Sequence, residues 1–169
     1  MIKMIEITLS TLLQVIQTIG LLVGIIYYIT IMRNQSRTRE AQFLLQLSQR
    51  FQDKENFRDF HEVLNLKFKD YQDFLENWDS TVNYEAYLQR STIWFMLDTF
   101  GHILKRGLVK PETIYDAIGG AFISRMWDNH GPIIRELRKQ INNPHHLDGY
   151  EYCAEEMKKV ERRKLQSIA

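Results

Sequence analysis

Arg125 and His130 stand five positions apart, and their side chains make one of the few pairs in this chain equipped for chemistry. A guanidinium can neutralise a phosphate, and an imidazole can move a proton near neutral pH. Positions five apart on a helix point about 140° from one another, so convergence of this pair requires a break, which Gly131 and Pro132 would supply. Arg125 also continues the apolar row Ile114, Ile118 and Phe122, where an arginine needs a carboxylate or a partner subunit. An interior ion pair therefore competes with a phosphate-handling role. Arg138 and His145 repeat the pattern at a longer spacing, as chance allows with twelve arginines and five histidines.

Asp98 and His102 lie one helical turn apart and could form an acid–imidazole pair, although with Lys105 on the same side they read more simply as a polar face. His145 and His146 are adjacent near Pro144, and two neighbouring histidines without further ligands assign no metal. The sequence lacks a phosphate-binding glycine loop, a GxSxG nucleophile and an HExxH motif, and it calls for no cofactor. One cysteine, Cys153, excludes an internal disulfide framework. The formal net charge of +1 leaves any basic site local. Such a site is the run Lys158, Lys159, Arg162, Arg163 and Lys164, which reads as lipid-headgroup binding, RNA binding or the solvated face of a terminal helix.

The elements that must position these residues begin with a membrane anchor. No side chain between Glu6 and Arg33 is charged, and the span 7–32 exceeds the ~20 residues that cross a bilayer core as a helix. Its fourteen Leu, Ile and Val residues are worth at most ~4–8 kcal/mol of insertion free energy. A cleaved signal peptide would carry a shorter apolar region and a small-x-small site. Arg33, Arg37 and Arg39 follow the span and only Lys3 precedes it, so residues 1–6 should lie outside and 33–169 should form a cytosolic domain at the inner membrane. Ser10, Gln14, Gln17, Gly24 and Tyr28 line one face, interrupted by Leu21, and Gly20 with Gly24 makes a small-xxx-small pair. Both features predict self-association, as a dimer, a bundle or a ring with a water path.

The rest reads as all-α, one transmembrane helix continuing into a cytosolic helical bundle. With neither Gly nor Pro between Ile25 and Phe100, the anchor helix can continue to about Gln52, where Phe43, Leu44, Leu47 and Phe51 make an apolar strip. A second helix carries Phe57, Phe60, Leu64 and Phe68, residues 70–80 lack a clear period and should contain a loop, and another helix spans 83–106 with Gly107 as its stop. Pro111 should start a helix ending near Asn129 at the Gly131-Pro132 break, followed by short and terminal helices over 133–141 and 149–166.

This layout resembles a prokaryotic family of small membrane proteins with one N-terminal span, an Arg/Gln-rich stretch such as Arg33-Asn34-Gln35-Ser36-Arg37 and a cytosolic helical domain. The likeness is strongest from Phe100 through Trp127 to Arg138. The Arg125/His130 spacing is similar to the motif of HEPN ribonucleases, which cleave without metal and build their site from two protomers. Combined with the anchor, it also resembles the membrane accessory protein of type VI-B CRISPR systems, with its divergent HEPN-like domain and pore-forming assembly. The resemblance implies a homo-oligomer acting in antiphage defence, with a CRISPR effector or RNA as partner. Met126 follows Arg125 where active HEPN sites carry a polar residue, which favours assembly over cleavage. Three readings follow: a pore or defence accessory, a membrane-tethered ribonuclease, and a structural subunit of a larger membrane complex.

Overall fold

The computed structural model describes residues 9–167. Residues 1–8, hence the expected outer end and the first two positions of the expected span, lie outside the described residues, as do the side chains of Leu44, Leu47 and Phe51 from the expected strip. Among the described residues every regular element is helical, so the all-α reading holds. The chain divides into two units, Met1–Gln42 and Phe43–Ala169.

The first unit consists of the greater part of α1 (Leu9–Gln52). Mean hydropathy reaches 2.0 in its most apolar window, none of which is buried within the chain, so one helix near the N-terminus is long and apolar enough to cross a membrane. The hydroxyls of Thr18 and Thr30 donate to the carbonyls of Gln14 and Ile26, both at 2.8 Å. Such back-bonding satisfies a hydroxyl inside the helix itself, the condition for tolerating one in hydrocarbon.

The second unit contains α2 (Lys54–Asn65), α3 (Tyr71–Trp78), α4 (Tyr84–Lys105), α5 (Pro111–Ile118), α6 (Gly120–Gln140) and α7 (Asp148–Gln166). Short polar residues start the first three: Asp53 accepts from the amides of Glu55 and Asn56, Asp70 from Asp73, and Asn83 from Ala86. Each such cap is worth ~1 kcal/mol. Residues 70–80, expected to contain a loop, hold α3 and turn only after Trp78, because the Asp70 cap precedes Tyr71, Phe74, Leu75 and Trp78, an apolar stripe just two turns long. α2 stops at Asn65, so Phe68 leaves the helix and packs edge-on against Phe74 and Trp78.

The expected break at Gly131-Pro132 is absent. It occurs at Gly119, whose φ of 80° ends α5 in the left-handed conformation open to glycine, and α6 then runs through Pro132. Gly131 serves packing: a Cβ there would come within 2.9 Å of the Trp127 ring. An interior proline costs ~3 kcal/mol in a free helix, and burial of Ile133 and Ile134 offsets it here.

α4 and α7 make the most extensive helix pair. Gly101 and Gly149 abut so closely that a Cβ on Gly101 would stand 1.7 Å from the Gly149 carbonyl oxygen. Leu97, Phe100 and Leu104 meet Cys153, Ala154 and Met157 in the core, with Ile123, Met126 and Ile134 joining from α6. The basic run of α7 ties that helix to its neighbours, through Lys158 to Asp128, Arg163 to Glu112 and Lys164 to Asp116. Lys159 pairs with Glu156, and among the described residues only Arg162 of the five makes no ion pair.

Candidate functional site

α6 turns His130 fully inward, where its ring lies 5.1 Å from Phe68 and 5.6 Å from Trp94. The Trp94 Nε1–H donates to Nδ1 at 2.9 Å, which leaves the proton on Nε2, facing the Leu66 carbonyl at 3.3 Å. Burial pushes the imidazole down to about 4; the Leu66 hydrogen bond opposes that fall and the nearby Arg90 charge adds to it. His130 is therefore neutral at physiological pH with both nitrogens engaged, joining α4, α6 and the end of α2.

Arg125 is exposed, its guanidinium 5.8 Å from the ring of Phe122, and it makes no ion pair among the described residues. The interior ion pair expected of it is absent because Gly119 interrupts the apolar row. Ile114 is buried on α5, whereas Phe122 and Arg125 belong to α6 and face outward. The structure does not bring Arg125 and His130 together in a cleft: without the break at Gly131, the helical geometry keeps one in solvent and the other in the core.

The buried cation is instead Arg90, only 2% exposed. Its Nη1 donates to the Trp78 carbonyl at 2.7 Å, and its Cζ sits 4.5 Å from Phe74, 4.9 Å from Trp94 and 5.6 Å from Tyr87. Burial lowers its pKa to about 10 against the opposing charges of Asp79 and Tyr87. Cation–π contacts of this desolvated kind reach ~2 kcal/mol. Its Nε is buried without a hydrogen-bond partner among the described residues. The sequence signal existed: Arg90 precedes Ile93, Trp94 and Leu97 on the buried stripe of α4, the pattern applied above to Arg125.

Asp98 and His102 meet as their spacing predicts, at 3.3 Å, and Asp148 joins them from α7. On α1, Ser10, Gln14, Gln17, Gly20, Gly24 and Tyr28 are all exposed. A Cβ added to Gly20 or Gly24 would meet nothing within 4 Å, and the side-chain amides of Gln14 and Gln17 make no hydrogen bond among the described residues. On the helical domain, a groove of about 310 Å³ is walled by Ile93, Phe95, Met96 and Phe100 with Asn56, Thr92 and Thr99.

A family profile described as a domain of unknown function, DUF4760, matches residues 14–157. The chain belongs to the DUF4760 family. That match takes in most of the apolar helix together with the helical domain as far as Met157, so both fall within the DUF4760 pattern. No curated protein and no solved structure matches the chain.

Proposed function

We propose that this DUF4760 protein is a single-span membrane protein that self-associates through the polar and glycine-bearing face of α1 and permeabilises the bilayer. The observation that carries the reading is the uncovered stripe of Gln14, Gln17, Gly20 and Gly24 on a helix otherwise fit for lipid. Hydrocarbon cannot satisfy the glutamine amides, and a neighbouring copy or a water path can. Gly20 and Gly24 leave room for a second backbone at the same face. The arginines after the span orient the helical domain toward the cytoplasm at the inner membrane. The resemblance to the membrane accessory proteins of type VI-B CRISPR systems makes antiphage defence the setting for such permeabilisation. Burial of His130, away from the exposed Arg125, weighs against the ribonuclease reading.

The mass of the detergent-solubilised full chain tests the assembly. The expected result is a homo-oligomer that Gly20→Leu with Gly24→Leu dissociates, since those side chains meet nothing within their own chain. A monomeric wild type would overturn the proposal.

A further inference from the structure

We propose that Asp98, His102, His145 and Asp148 form a binding site for a transition-metal ion of the zinc class, which clamps the start of α7 onto α4. Two ligands come from α4 and two from the entry to α7, some fifty residues later in the chain, and the Gly101–Gly149 contact forces the two groups together. The His102 Nε2 lies 3.3 Å from an Asp98 oxygen and 3.8 Å from an Asp148 oxygen, and the His145 Nδ1 lies 3.8 Å from the other Asp148 oxygen. One donor atom from each of Asp98, His102 and Asp148 falls within 4.8 Å of the others. Ligands at zinc's ~2.0–2.2 Å stand roughly 3.3–3.6 Å apart in a tetrahedron, close to the separations among Asp98, His102 and Asp148, whereas the exposed His145, near Asp148 alone, must turn its side chain to complete the set.

Both flanks of the cluster are built to hold orientation. The Asp98 Oδ1 accepts from the Tyr150 amide at 3.1 Å, which fixes that carboxylate with Oδ2 turned to His102. Arg138 donates to the carbonyls of His146 and Leu147 at 2.7 and 3.1 Å and holds the turn between the two α7-side ligands. Leu147 within that turn has φ of 57°, a strained conformation for a residue that is not glycine. Two imidazoles among the donors favour zinc, cobalt or nickel over calcium or magnesium.

Lys105 competes with the ion, its Nζ standing 3.1 Å from the Asp148 Oδ2. Its ammonium also lies 5.4 Å from the ring of Tyr152, a second resting place once Asp148 is taken. Removing Lys105 should therefore tighten binding, an effect that a site elsewhere would not produce.

Calorimetry with Zn2+ and visible spectroscopy with Co2+ on the tag-free full chain in detergent test the proposal. The expected result is one ion per chain, a tetrahedral Co2+ spectrum, and a chelator-reversible rise in Tm. His102→Gln and His145→Gln change exposed side chains, and circular dichroism should show the fold unaltered. Each should weaken binding by on the order of 100-fold, since loss of a mere supporting residue already costs ~10–100-fold. Lys105→Met should strengthen it, and His61→Gln should leave it unchanged. Absence of binding by wild type, equal affinity in either cluster-histidine variant, or loss of binding on replacing His61 would overturn the proposal.

Discussion

Lowering the pH from 7 toward 4 perturbs the His130 junction without touching the sequence. The folded chain holds the imidazole at about 4, whereas an unfolded histidine titrates near 6.5. Between those values the unfolded chain binds the extra proton, so stability rises with pH across this window. His130 contributes in full above about 6.5, and its contribution is lost progressively as pH falls through about 4. The difference corresponds to roughly 3 kcal/mol. Burial also lowers the pKa of His146, which acts in the same direction. Net hydrogen bonding and pairing hold Asp79, Asp148 and Glu151 below the ordinary carboxylate range, and their losses come at lower pH. The assay is urea unfolding of the full chain in detergent at pH 7.5, 6.5, 5.5 and 4.5, followed by tryptophan fluorescence and compared with His130→Gln. An amide can accept from Trp94 and donate to Leu66 but cannot titrate. The variant should be less stable at pH 7.5 and lose less on acidification. Equal pH slopes in the two proteins would refute the assignment of His130 as a buried, neutral junction.

Arg90→Ala should cost about 3 kcal/mol or more in urea unfolding, because it strips the Trp78 carbonyl of its donor and empties the space among Phe74, Tyr87 and Trp94. Arg90→Met should cost markedly less, since an apolar chain of similar length needs no counter-charge. Gly101→Ala should prevent stable folding, detected as lost protease resistance, because its Cβ would fall on the Gly149 carbonyl. Arg125→Ala should change stability by no more than about 0.5 kcal/mol, as for other exposed positions.

The long apolar helix and the all-α class were legible because both are local signals: an uncharged apolar run and a 3.6-residue periodicity announce themselves without tertiary contacts. The helix starts at Asp53, Asp70 and Asn83 were equally open to reading, and α3 escaped because its two turns carry so short a stripe. Gly119 and Gly131 look alike in sequence, yet one requires positive φ and the other makes room for Trp127. That ambiguity moved the break by a dozen residues and, with it, Arg125 from core to surface. His130 gave no sign of its burial because its partners, Trp94 and the Leu66 carbonyl, come from 36 and 64 residues away. The Asp98, His102 and Asp148 grouping was illegible for the same reason, since it exists only where α4 meets α7. Cys153 is fully buried with its thiol pushed up to about 12, so sidedness is better read from a reporter fused after residue 169 than from thiol labelling.

Release of a trapped dye from liposomes, compared between wild type and the Gln14→Leu, Gln17→Leu double variant, tests the central claim most directly. Both glutamines are exposed on α1, and leucine at each makes the helix more apolar, so insertion should be retained. Dewetting of a path lined by these residues should suppress leakage several-fold while the double variant still inserts and assembles. Leakage equal to wild type from an assembled double variant would contradict the account and leave α1 as a tether for the helical domain.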